Sequence, residues 1–182
     1  MKQVKLPENS VLQKDNSFQF IDAYQSDFLD ENNTTDIVKI CKLFFSSDPK
    51  WIEKLFSIRN KIVKSFGLKV SENILNRKQL IENFKCEVNE QIGLFKVFQK
   101  TENEVILGED DKHLDFRVSL LLENENANNN RKQLTISTCV KFNNQFGKLY
   151  FIPVKPFHRM IVPTMLKGIM NQIERLQVVT NN

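Results

Sequence analysis

Two long alternating runs, KHLDFRVSLLLE and QLTISTCVKF, separated by the asparagine-rich NENANNNRK, constrain this chain more than any other feature. Side chains along a strand point to opposite faces in turn. Leu114, Phe116, Val118, Leu120 and Leu122 therefore share one face of the first run, and His113, Asp115, Arg117 and Ser119 the other. In the second run Leu134, Ile136, Val140 and Phe142 share a face. Such runs joined by a polar connection predict an antiparallel hairpin with one apolar face, and that face needs a cover. The chain supplies one from about Pro156 to Val178, where Phe157, Ile161, Met165, Ile169, Met170, Ile173 and Leu176 recur at helical spacing. Pro163 lies inside this helix and predicts a kink or a division into two pieces.

The remaining elements fit around this pair. Residues 1–17 read as an extended polar arm, followed by a strand at about 18–26 with Phe18, Phe20 and Asp22 on one face. Thr34 or Thr35 can cap a short helix that begins near Asp36 and carries DIVKICKLFF. Asp48 and Pro49 restart a second helix, which runs to Phe66 with Trp51 and Phe56 on it and stops at Gly67. Residues 68–91 are ambiguous, with a helical turn or two at LIENF. GLFKVFQK and EVILGE then read as strands, and after the turn NNQFG a last strand is expected at KLYFIPV. The expectation is a single α+β domain over 1–182: a curved antiparallel sheet of about six strands on a long C-terminal helix, with two short helices after the first strand.

Composition narrows the function classes. The net charge of +4 is spread along the chain rather than concentrated, which argues against a nucleic-acid surface. Cys41, Cys86 and Cys139 form no CxxC pair and are odd in number, as expected of reduced thiols in the cytoplasm. No apolar run approaches the roughly 20 residues of a membrane span, and the N-terminus lacks the apolar core of a signal peptide. Fifteen Phe against two Tyr and one Trp predict a dry interior, suited to a packed core or an apolar pocket.

Three segments carry a family resemblance: PKWIEKLFSIRNKIVKSFGL, GEDDKHLDFRVSLLL and KLYFIPVKPFHRMIVPTML. With the order of elements, they resemble an uncharacterised bacterial family of unknown function within the SRPBCC superfamily, whose members include START-type lipid carriers and polyketide cyclases. The resemblance implies a helix-grip fold with a cavity between sheet and C-terminal helix that holds an apolar small molecule. It transfers no catalytic residue.

The densest polar group is Asp110, Asp111, His113, Asp115 and Arg117. The bland reading is a solvated strand face, and the functional one is the mouth of a ligand cavity. His158 and Arg159 stand near the start of the final helix. If His113 and His158 converge, with Asp115 orienting one imidazole, general acid–base chemistry becomes available; otherwise these residues lock the helix onto the sheet. No HxH or HExxH spacing points to a metal, and no cofactor motif is present. Phe157, Met165 and Trp51 are candidate apolar walls for a ligand, or simply core. Three functions follow: binding of an apolar or amphipathic small molecule, a cyclase- or hydratase-like enzyme using His113 or His158, and a protein-interaction module.

Overall fold

The structure is a computed structural model, and it describes residues 1–47, 77–125 and 130–180. Seven antiparallel strands form one sheet in the order β1-β2-β7-β6-β5-β4-β3. The strands are β1 (Lys2–Val4), β2 (Phe20–Leu29), β3 (Gln91–Ile92), β4 (Phe95–Lys100), β5 (Glu104–Asp110), β6 (Leu114–Asn124) and β7 (Arg131–Phe142). Helices α1 (Ile37–Ser46) and α2 (Arg77–Asn83) lie between β2 and β3 in sequence, and α3 (Gln145–Thr180) closes the chain. The expected second helix, with Trp51, Phe56 and Gly67, lies outside the described residues.

The period of two places β6 as expected. Leu120 pairs with Ile136 and Val118 with Thr138 across the β6–β7 ladder. Phe116, Val118, Leu120, Leu122, Leu134 and Ile136 join one core with Val162, Leu166, Ile169 and Ile173 of α3 and with Ile37, Ile40 and Phe44 of α1. Leu166, Ile169 and Ile173 are at most 1% exposed, and burying each such side chain contributes about 1.5–3 kcal/mol. Phe44, Phe45, Phe84, Phe95 and Phe116 complete this core with edge-to-face contacts at 5.3–5.7 Å. That geometry sets ring edges against the electron-rich faces.

Asp36, rather than Thr34 or Thr35, caps α1, accepting a hydrogen bond from the Lys39 amide at 2.7 Å. Ile92 pairs with Phe95 around a two-residue turn, and Gly93 takes its φ of 60° there without steric penalty. Among the described residues the sheet therefore has seven strands, in keeping with the six or so expected. One of them is β1, formed by the arm on the edge beside β2. After it, Val11–Lys14 form a 3-10 turn. Leu6, Val11, Leu12 and Phe18 then pack with Ile106, Cys139 and Phe98 on the outer face of the sheet. Phe18 thus lies on the opposite face from Phe20, because the alternation starts only where pairing to β7 begins.

The larger correction concerns KLYFIPV, which is helix and not strand. Asn144 caps α3 by accepting from the Gly147 amide at 3.0 Å, and Phe151, His158, Val162, Leu166, Ile169 and Ile173 then turn inward at helical spacing. Pro163 does not divide this helix, nor do Pro153 and Pro156. At 3.6 residues per turn the three prolines fall within an arc of roughly 80° on the face away from the sheet. Each lacks the amide that would bond the carbonyl four residues back, here those of Leu149, Ile152 and Arg159. All three residues are exposed, so water can serve the freed groups.

Two glycines bring α3 close to its neighbours. A Cβ on Gly147 would lie 2.1 Å from the His113 carbonyl oxygen, so the start of α3 can seat against the β5–β6 turn only with glycine there. Gly168 does the same where α3 crosses Ser47 at the end of α1, with a Cβ position 3.2 Å from the serine Cβ.

Candidate functional site

The residues proposed from sequence separate into two places. His113 sits in the β5–β6 turn, its ring 5.0 Å from that of Phe146 and its Nδ1 within 3.0–3.2 Å of the Asn144 amide group. Asp115 accepts from the Asn143 side chain at 2.9 Å and from the Asp111 amide at 3.2 Å, with Lys141 3.9 Å away. Arg117 pairs with Asp110 at 2.6 Å and lies 3.6 Å from the centre of the Phe98 ring. These three side chains are engaged where the outer sheet face meets the cap of α3. His158 lies three turns further along α3, about 18 Å from Phe146 at 1.5 Å per residue. The two histidines do not converge.

His158 meets a different carboxylate. Asp22 of β2 faces inward beside its ladder partner Thr138, and its Oδ2 lies 3.2 Å from His158 Nδ1. The Asp22 side chain is 3% exposed and that of His158 is 17% exposed. The distance is within ion-pair range, yet no aligned hydrogen bond forms. Both Asp22 oxygens, His158 Nδ1 and Thr138 Oγ1 are buried without a hydrogen-bond partner. A buried polar atom left in this state costs on the order of 1–3 kcal/mol. Tyr24, two residues along the same face, feels the cluster: burial first, and then the Asp22 charge, push its phenol pKa upward, while Arg159 pulls it down.

Phe20 is the wall between this cluster and solvent. Its ring meets Phe151 at 4.8 Å and His158 at 5.9 Å, and the Lys155 ammonium lies 5.5 Å from its centre. Outside it a cleft of about 290 Å³ opens between β2, β7 and the first turns of α3. Gln19, Phe20, Phe142, Lys148, Phe151, Ile152 and Lys155 line it. Its floor is aromatic, since Phe142 packs on Phe151 at 5.4 Å, and its rim is cationic. Gln19 is fixed there by accepting from the Phe142 amide at 2.7 Å.

Asp22, Phe142 and Phe151 were not singled out as site residues from sequence. The available signal was a carboxylate at an inward position of β2, which is costly in a core unless something is served by it. Of the other candidates, Met165 packs against the core, Phe157 is exposed on α3 with Met160, and Trp51 lies outside the described residues. A second cleft, of about 760 Å³, opens where α1, α2 and the end of α3 meet, lined among others by Lys42, Leu43, Ile81, Gln172 and Leu176. None of the sequence-proposed residues lines it.

The thiols are quiet. Burial pushes Cys139 up to about 12, and the hydrogen bond with Cys86, followed by burial, raises Cys41 strongly. Among the described residues no group of three His, Cys, Asp or Glu side chains converges to hold a metal ion, and no helix is long and apolar enough to cross a membrane.

A family model described as protein of unknown function (DUF2867) matches residues 16–165. The match takes in Phe20, Asp22, Phe142, Phe151 and His158. No curated protein and no solved structure matches the chain.

Proposed function

This chain belongs to the DUF2867 family, and we propose that its sheet–helix cleft binds an apolar or amphipathic small molecule. The observation that carries the reading is the aromatic floor of Phe20, Phe142 and Phe151, open to solvent at the seam between sheet and α3. Small-molecule sites are mostly apolar concavities with a few placed polar groups, of about 300–1,000 Å³. A volume of about 290 Å³ suits a ligand of one or two rings. The resemblance of three segments to an uncharacterised branch of the SRPBCC superfamily, whose other members include START-type carriers, supports the same reading.

The test is equilibrium binding of 2-naphthol, a neutral two-ring probe, to the folded protein. Saturable one-site binding is expected, weakened at least fivefold by Ile152→Asp, which places a charge on the cleft wall. Ile152 is 67% exposed, so the substitution leaves the core alone. Absence of saturable binding, or equal binding by the variant, contradicts the reading.

A second reading is favoured by one distance, the 3.2 Å between His158 Nδ1 and Asp22 Oδ2. A carboxylate facing one ring nitrogen orients an imidazole and sets its tautomer, leaving the other nitrogen to accept or give a proton. His158, which does not line the cleft, would then run a cyclase- or hydratase-like proton transfer on a molecule that displaces the Phe20 ring covering it. Nitrogen-15 NMR of the neutral ring tests it without a substrate. The reading requires the proton on Nδ1, and a ring protonated on Nε2 alone rules it out.

A further inference from the structure

We propose that the molecule held in the Phe20 cleft is an anion, its carboxylate- or sulfonate-type group seated between Lys148 and Lys155. This rests on reading the cleft as a ligand site and names the chemical class it takes. The two lysines are seven residues apart on α3, two turns and about 10.5 Å along one side of the helix. Both line the cleft, and among the described residues neither has an ion-pair partner. The Lys155 ammonium lies over the Phe20 ring, 5.5 Å from its centre, at the rim of the cleft.

No residue lining the cleft is acidic, and α3 carries no Asp or Glu from Gln145 to Ile173. Elsewhere on the surface lysines meet acids, as Lys100 does with Glu87 at 2.7 Å. The rim of the cleft is therefore a local excess of positive charge above an aromatic floor. Two ammonium groups that converge on one oxyanion give charge-assisted hydrogen bonds of the stronger kind. The ring stacking on Phe20 and Phe151 would hold the rest of the ligand. A cationic ligand would meet the same lysines with repulsion, and a neutral one would gain nothing from them.

Calorimetric titration with three probes of one ring system separates these cases. The probes are naphthalene-2-sulfonate, 2-naphthol and 2-naphthylmethylammonium. The proposal expects the sulfonate to bind at least fivefold more tightly than the naphthol, and the ammonium most weakly. In the exposed double variant Lys148→Glu, Lys155→Glu, with its fold checked by amide NMR, the order reverses. Lys167→Glu, a charge change on α3 outside the cleft, leaves the wild-type order intact. Equal affinities for all three probes overturn the anion assignment while leaving the cleft a ligand site. So does a sulfonate preference that survives the double variant, or one that Lys167→Glu lowers as much. If none of the three binds, the ligand reading itself falls.

Discussion

Asp22 holds a desolvated carboxylate against a sheet, with 3% of its side chain exposed and neither oxygen in an aligned hydrogen bond. Nothing in the packing requires it, since Val would suit this inward strand position better. A buried pair of this sort, replaced on both sides by apolar residues, often gains about 1–4 kcal/mol. The double variant Asp22→Val, His158→Phe should therefore raise the urea unfolding free energy by about 1–2 kcal/mol. A loss of more than 1 kcal/mol would instead make the Asp22–His158 pair a structural anchor. Asp30 is the contrasting case. Its carboxylate meets Lys132 at 2.8 Å with side chains 1% and 10% exposed. Burial pushes its pKa up, but the Lys132 hydrogen bond and the Thr35 and Thr34 amides outweigh burial and hold it below the ordinary carboxylate value. A lowered folded-state pKa contributes stability above the unfolded pKa, near pH 4, and loses it as the pH falls through the lower value. Asp30→Asn should cost about 3–5 kcal/mol near pH 7 by leaving Lys132 buried and unpaired. The gap to wild type should narrow only in acid. A pH-independent gap in urea titrations would contradict this assignment.

Helix α3 carries three interior prolines over its 36 residues. They persist because the carbonyls they free belong to Leu149, Ile152 and Arg159, exposed residues whose carbonyls reach water. Pro156→Ala restores a donor to the Ile152 carbonyl, against an interior-proline cost of about 3 kcal/mol. It also loosens the unfolded chain, a smaller opposing effect. Thermal melting should show a net gain of about 1–2 kcal/mol. A lower midpoint would mean that the proline itself is needed to seat Phe151 and His158. The legibility of the elements followed their dependence on local pattern. Strands β6 and β7 could be read because alternation over ten or more residues has one interpretation. KLYFIPV alternates too, and what made it helix was the Asn144 cap together with inward residues further along, which a short window does not contain. The arm gave no signal because its anchor is remote. Ser10 Oγ and the Val11 amide donate to Glu104 at 2.6 and 2.8 Å, as Ser119 does from the sheet. Glu104 is 2% exposed, yet in EVILGE it reads as an ordinary turn-edge charge.

The whole molecule is a helix-grip arrangement with both faces of its sheet occupied, α1 and α3 on one and the N-terminal arm on part of the other. That division explains which site residues were readable. His158 was legible as one of two histidines in the chain, whereas its carboxylate lies 136 positions away, on β2, where only the ladder brings it close. His113, Asp115 and Arg117 formed the more conspicuous cluster because they are adjacent in sequence. Their adjacency is what lets them serve one another and the cap of α3. If small molecules enter at the Phe20 seam, amide NMR of the labelled protein titrated with naphthalene-2-sulfonate should show saturable shifts centred on residues 19–22, Phe142 and 148–158. Shifts centred instead on Leu43, Ile81 and Leu176, around the larger cleft, or no saturable shifts at all, would contradict entry at this seam.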